Sequence, residues 1–269
     1  MNSPLLYEQD GAIATMTLNR PSAHNALTPE MLCRLADAID DFRRSSTLRV
    51  AILTGAGGKT FCSGGDLAST LPLLTGARAP SDDWDRRLLA EPHLMELSSL
   101  RNIALDKPVI AAINGGCYAG GHELMLGTDI RVAAEHAVFA LPEVQLALIP
   151  FAGSPVRLPR QIPYCQAMEM LLTGDPIDAV EAFRRGLVNH VVPADQVLPK
   201  ARAIADRIAA NGPIAVREIK KTVRTSSGVD LDSAFEIESE SWAVVRASED
   251  AREGPLSFME KRAPQYRGH

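Results

Sequence analysis

Three aliphatic runs, RVAILTG (49–55), KPVIAAING (107–115) and DIRVAAE (129–135), alternate with stretches of helical spacing. That alternation most limits what this chain can fold into. Each run is short and apolar at its centre, and reads as a buried strand. Strands separated by helices pair in parallel, because a parallel partner is reached only through a crossover. The fold class is therefore α/β. Ahead of these runs, LLYEQDGAIATMTLN holds two alternating segments around Asp10-Gly11, a hairpin signal. Thr28 is placed to cap a helix with Pro29 at its first position, and LCRLADAIDDFRR continues it with apolar spacing of three and four.

From about Pro193 the pattern changes. Residues 194–211, 213–226, 230–247 and 248–260 read as successive helices without a strand, with a Gly-Pro break in ANGPIAVREIKK. The chain is expected to divide into an α/β core over 1–193 and a C-terminal helical segment over 194–269. The segment LPLLTGARAPSDDWDRRLLAEPH (71–93), with two prolines and a charge cluster, is expected to be a mobile loop.

Composition narrows the class of function. With 269 residues, 46% of them hydrophobic, the chain can bury one large core. A net charge of −5 offers no basic face, which argues against nucleic acid. No apolar run reaches the roughly 20 residues of a membrane helix, so no membrane partner is expected. The first residues, MNSPLLYEQDGAIATM, lack the basic and apolar parts of a secretory signal. Cys33, Cys62, Cys117 and Cys165 form no CxxC pair and read as reduced, mostly buried thiols of a cytoplasmic protein.

Several motifs come close and miss. LTGAGGKT follows a strand, but the first glycine of a phosphate-binding loop falls on Leu53. A nucleotide phosphatase built on it is thereby disfavoured. His122-Glu123 opens like a zinc-protease motif, yet Leu126 stands where the second histidine belongs, and no other histidines have ligand spacing, so no metal is expected. There is no GxSxG, and neither Ser63 nor Ser154 has an evident histidine partner.

Two glycine loops and two glutamates survive. Gly64-Gly65 in FCSGGDL and Gly120-Gly121 in INGGCYAGGHELML each follow a strand-like run, the second at the start of a helix over 119–127. Where side chains are absent, backbone N–H groups can approach a ligand, and two converging donors form an oxyanion hole. Glu123 closes the second loop, and Glu143 follows a proline in the nearly uncharged FALPEVQLALIP. A carboxylate in apolar surroundings resists ionisation, and two in one site do not easily both ionise. That arrangement suits proton transfer to carbon and water. Cys62 and His122, flanking the loops, read as packing or lining residues.

These segments, in the order LNRP-x₃-NAL, AILTG-x₅-FCSGGDL, KPVIAAINGGCYAGGHEL, DIRVAAEHAVFALPEV, LTGDPIDAVEAFRRGLVN and EGPLSFMEKR, resemble the crotonase superfamily across essentially the whole chain. Within it the chain is most similar to enoyl-CoA hydratases and, close behind, carnitinyl-CoA dehydratases. The resemblance implies a spiral of repeated ββα units and a C-terminal helical segment that builds homotrimers, often paired into homohexamers. It also implies acyl-CoA thioester substrates, with coenzyme A part of the substrate and no separate cofactor. By the resemblance, Gly65 and Gly120 supply the oxyanion donors and Glu123 and Glu143 are the catalytic pair. Gly65, Asp66, Leu67 and Ala68 line the bent CoA chain, and Phe258 and Lys261 border the acyl-CoA site, Lys261 near its nucleotide end.

The chain also departs from the pattern. IPFAGSP stands where hydratases commonly carry IPGAGGT, so Phe151, Ser154 and Pro155 replace two glycines and a threonine. Ala68 stands where some hydratases place a lysine. Phe151 either points inward and shortens the acyl pocket or turns away while its backbone does the work of the glycine. The expected reaction is hydration of an enoyl-CoA, with a carnitinyl-CoA-type dehydratase or an enoyl-CoA isomerase as the alternatives within the superfamily. A non-catalytic acyl-CoA-binding scaffold is disfavoured by the retention of both glutamates.

Overall fold

The computed structural model describes residues 3–269. Strands β1 (Leu5–Asp10) and β2 (Ile13–Leu18) form the antiparallel hairpin across Asp10-Gly11. Thr28 caps the helix Pro29–Arg44 by accepting the Met31 N–H at 3.2 Å, with Pro29 at the first position, where a missing donor is harmless. The apolar stripe of that helix, including Met31, Leu35, Ile39 and Phe42, is buried. At its far end the buried Lys107 ammonium donates to Phe42 O at 2.7 Å, satisfying a terminal carbonyl.

Three strand pairs follow in sequence: β3 (Val50–Gly55) with β4 (Thr60–Cys62), β5 (Val109–Ile113) with β6 (Gly116–Tyr118), and β7 (Ile130–Ala134) with β8 (Val138–Ala140). The first member of each pair joins a six-stranded sheet and the second a four-stranded one. With β9 (Ile177–Asp178) and β10 (His190–Val192), the orders are β1-β2-β3-β5-β7-β10 and β4-β6-β8-β9. This is the spiral expected from the resemblance. From β2 to β10 the large sheet is parallel, and β3 and β5 are buried along their whole length. Where the chain steps from β5 to β6, a β-carbon on Gly115 would lie 2.3 Å from Lys59 O, so only glycine allows the two turns of the spiral to stack.

The segment 71–93 is not a mobile loop. It folds into the helices Thr70–Leu74 and Asp83–Ala90 and enters the helix His93–Ser98. The cause is one buried carboxylate, Asp85, which takes both arms of Arg78 at 2.5 and 2.8 Å and the Ser81 N–H at 2.8 Å. Arg78 holds the Asp85 carboxyl far below the usual carboxylate range.

Beyond β10, the helix Val197–Ala209 lies on the large sheet with Val197, Ala201 and Ala205 buried, so by packing it belongs with the core. The helices Pro213–Ser226 and Leu231–Ala247 pair with each other and bury only Ser241. Ile219, Val223, Phe235 and Trp242 on them are each more than 60% exposed, leaving a large apolar surface uncovered in the single chain. No helix among the described residues is long and apolar enough to cross a membrane.

Candidate active site

The small sheet positions the site. β4, β6 and β8 are parallel neighbours, with Cys62 beside Cys117 and Cys117 beside Phe139. Segments 63–66, 119–123 and 141–144 leave the carboxyl ends of these strands and so lie side by side, where α/β sheets hold ligands.

Leu27 sets the first segment. Its N–H donates to Gly64 O at 2.8 Å, and its carbonyl accepts the Asp66 N–H at 3.0 Å. The residue between is bracketed, and the Gly65 N–H donates to no acceptor among the described residues. The Asp66 carboxylate accepts the Ala68 and Ser69 N–H groups, both at 3.0 Å, and pairs with Arg20 at 3.0 Å. Burial opposes its charge, but Arg20 and Ser69 outweigh that and hold the carboxyl below its ordinary value. Leu67 and Ala68 beyond it are exposed.

In the second segment Ala119 has φ 49° and ψ −128°, a left-handed conformation that costs a residue with a β-carbon on the order of 1–3 kcal/mol. It turns the chain into the helix Gly120–Leu126, and the Gly120 N–H also lacks an acceptor among the described residues. A β-carbon on Gly120 would lie 3.6 Å from Gly65 N, so the two unengaged donors are close neighbours.

Glu123, 2% exposed, sits on the first turn of that helix. Its Oε1 accepts the Ala152 N–H at 2.8 Å and the Ser154 N–H at 3.0 Å, while Oε2 accepts from no described residue. Burial raises its carboxyl above the ordinary value, and the bonds from Ser154 and Ala152 and the charge of Arg157 pull it back. Glu143 lies in the 3₁₀ turn Pro142–Leu146 after β8. Its Oε2 is buried without a hydrogen-bond partner among the described residues. Burial first, then repulsion by Glu123, pushes its carboxyl up to about 7. The two acids are thus close and unequal, Glu123 held by the Ala152 and Ser154 N–H groups and Glu143 with its Oε2 unpartnered among the described residues.

At the far end of the Glu123 helix, the buried Arg131 guanidinium donates to Met125 O, Leu126 O, Thr128 O and Leu187 O, at 2.9 to 3.3 Å. It satisfies the terminal carbonyls and fixes the helix against the loop before β10. His122 is fully buried, edge-on to Phe139 at 6.3 Å, and desolvation drives its imidazole down to about 3. It packs as a neutral ring.

The chain therefore gathers Glu123, Glu143, Gly65 and Gly120. Phe151 precedes the Ala152 N–H that holds Glu123; its carbonyl accepts Arg101 Nη1 at 2.7 Å, and the residue is 55% exposed. Phe258 is 84% exposed and Lys261 is exposed at the end of the helix Asp250–Met259, and no hydrogen bond among the described residues joins either to the glutamates. A cavity of about 570 Å³ lies behind the Glu123 helix, between Leu126 and Ile219, and neither glutamate is in its walls. Sequence reasoning did not anticipate the clamp of Ala152 and Ser154 on Glu123, because its donors are backbone groups without a residue signature. The Arg157 beside it, in the GSPVRLPR stretch, carried no distinguishing spacing either.

The family model for enoyl-CoA hydratase/isomerase matches residues 8–269. The chain belongs to the enoyl-CoA hydratase/isomerase family. It is 43% identical over 261 residues to the enoyl-CoA hydratase EchA19 of Mycobacterium tuberculosis, covering 97% of this chain and 95% of that one. It is 38% identical over 272 residues to the carnitinyl-CoA dehydratase of Proteus mirabilis, covering both chains fully. Among solved structures, the enoyl-CoA hydratase of M. tuberculosis H37Rv superposes with a TM-score of 0.89 at 38% identity over 100% of both chains. The enoyl-CoA hydratase of Bacillus anthracis superposes at 0.88 and 37% identity, over 99% of this chain and 100% of that one. Both superpositions extend over essentially the whole fold described above.

Proposed function

We propose that the protein catalyses the reversible addition of water across the 2,3 double bond of an enoyl-CoA thioester. The observation that carries this reading is the unequal carboxyl pair beside two unengaged N–H groups. The thioester carbonyl accepts from Gly65 and Gly120, which stabilise the enolate oxygen as charge moves onto it. A donor of this kind is worth about 3 kcal/mol of barrier. Glu123, a carboxylate, takes a proton from water through its free Oε2 as the water oxygen bonds to C3. The C2=C3 electrons pass to the carbonyl oxygen, and Glu143 delivers its proton to C2 as the enolate collapses. The pair then holds its proton on Glu123, and the next bound water relays that proton back to Glu143, taking one from Glu123 as it gives one to Glu143. CoA enters as part of the substrate, and the steps draw on no metal or redox group.

A second reading within the family runs the same pair in reverse on a β-hydroxyacyl-CoA, as in a carnitinyl-CoA-type dehydratase. The full-length similarity to the Proteus dehydratase favours it over isomerisation. An absorbance assay over enoyl-CoAs of different length and branching, with a carnitinyl-CoA arm, separates the readings. Hydration of a plain enoyl-CoA supports the first. Turnover confined to the quaternary-ammonium substrate supports the second. The exposed apolar faces of helices Pro213–Ser226 and Leu231–Ala247 support assembly into trimers or pairs of trimers, and the chain is proposed to act in the cytoplasm.

A further inference from the structure

Arg157 lies on the helix Ser154–Gln161, one turn beyond the N–H groups that hold Glu123. A β-carbon on Gly153 would lie 3.4 Å from Arg157 Cδ and 3.5 Å from its Nε and Nη1, and one on Gly127 would lie 2.8 Å from Nη1. The guanidinium is therefore wedged between the clamp loop and the end of the Glu123 helix. Its hydrogen bonds run to neutral carbonyls: Nη1 to Ser99 O at 3.2 Å, and Nη2 to Leu100 O. No ion pair joins it to a carboxylate among the described residues. An arginine keeps its charge even when partly buried, so among the described residues the nearby Glu123 is the acid that balances this cation. Arg101, from the 99–102 turn, bonds Phe151 O instead and laces the same turn to the clamp from the other side.

We propose that Arg157 is a positioning residue that keeps the shared proton off Glu123 and on Glu143, which makes Glu123 the base and Glu143 the acid. The proposal rests on the glutamate roles given above. The charged and titratable groups around Glu123 are few. Glu143 faces it from the 3₁₀ turn, Arg157 and Arg101 stand behind the clamp, the neutral His122 adjoins it in sequence, and Arg131 is spent on carbonyls at the other end of the helix. Among the described residues, Arg157 is the cation whose charge acts on the Glu123 carboxyl, and no ion pair takes it up elsewhere. Glu143 has no such cation beside it among the described residues, so Arg157 adds to the inequality that burial and the Ala152 and Ser154 N–H groups already set up.

The test is a pH titration of the Glu123 carboxyl by difference infrared spectroscopy, using Glu123→Gln to identify the band, on the full-length protein and its Arg157→Gln and Arg157→Lys variants. This readout does not depend on turnover, so it stands even if the chain hydrates none of the enoyl-CoAs tried, an outcome that would contradict the proposed function instead. Removing the cation should move the Glu123 titration up by about one pH unit, the low end of what a neighbouring opposite charge does. The acidic limb of kcat/KM should move with it, giving about tenfold less activity below the limb. Arg157→Lys, which keeps the charge but loses the forked hydrogen bonds, should leave the titration within about 0.3 units of wild type. An unmoved titration in folded Arg157→Gln would show that Arg157 only braces the loop, and would overturn the proposal. Should that variant not fold, Arg157→Lys decides: a titration kept in place supports the proposal, and one raised by a full unit overturns it.

Discussion

A β-carbon on Gly64 would stand 2.7 Å from the β-carbon of Ala119, so the two loops that carry the unengaged N–H groups touch at a distance only glycine permits. Gly64 also has φ +92°, where any other residue is strained. Gly65 has open space around its Cα and no such φ. Gly64→Ala is therefore expected to destabilise the fold by more than about 1 kcal/mol and to lower activity by separating the donors. Gly65→Ala should melt like wild type. Thermal unfolding of the two variants side by side checks this, and equal melting temperatures would contradict it.

Glu143 makes stability depend on pH. Its carboxyl titrates near 7 in the folded chain against an ordinary value of 4.5, through burial and then the charge of Glu123. Below pH 4.5 the group is neutral in both states and stability is complete. As pH rises toward 7 the unfolded chain ionises first, and stability is lost. Glu143→Gln cannot ionise and escapes that loss. The side chain is only half-buried, so solvent screens the effect to about 1 kcal/mol, or roughly 2–4 °C in Tm. The variant should match wild type near pH 4.5 and melt higher by that amount at pH 8. A Tm difference that does not change with pH would contradict the buried placement of this carboxyl.

Phe151 bears on substrate length. Its carbonyl is pinned by Arg101 and the residue is more than half exposed, so the ring is expected to turn away from the space beside Glu123. Phe151→Gly should leave the ratio of kcat/KM between long and short enoyl-CoAs unchanged within about threefold. An inward ring would demand tenfold or more, the discrimination of one or two methylenes.

The uncovered faces of the C-terminal helices bear on assembly. Phe235 and Trp242 are 61% and 62% exposed, and burying such surface between subunits yields about 25 cal/mol per Å². Light scattering should give a multiple of three times the 29.0 kDa chain. Deleting residues 248–269 should weaken both assembly and activity, and a fully active monomer would contradict the trimeric reading.

Much of the site was legible in the sequence because its parts are letters. The glycine pairs, Glu123 and Glu143 stand out, and LPEV and AGGHE announce themselves after apolar runs. The strands that bring them together did not show a pattern of their own, since β4, β6 and β8 have three residues each, too few for periodicity to appear. The order in 71–93 depends on one carboxylate, Asp85, folding back on Arg78, which no local pattern encodes. Helix Val197–Ala209 looked like the start of a separate helical segment, because the alanines that seat it on the sheet carry little hydrophobic signal. The grip on Glu123 comes from main-chain donors, and these have no letter at all.

Turnover of crotonyl-CoA by the wild type, Glu123→Gln, Glu143→Gln and the double variant tests the central claim most directly. Acid and amide are nearly isosteric, so all four should fold. Each single change should lower kcat for hydration at least about a hundredfold. The double variant should lose far less than the product of the two, because the acids act as a unit. Wild-type-like hydration by either folded single variant would contradict the account.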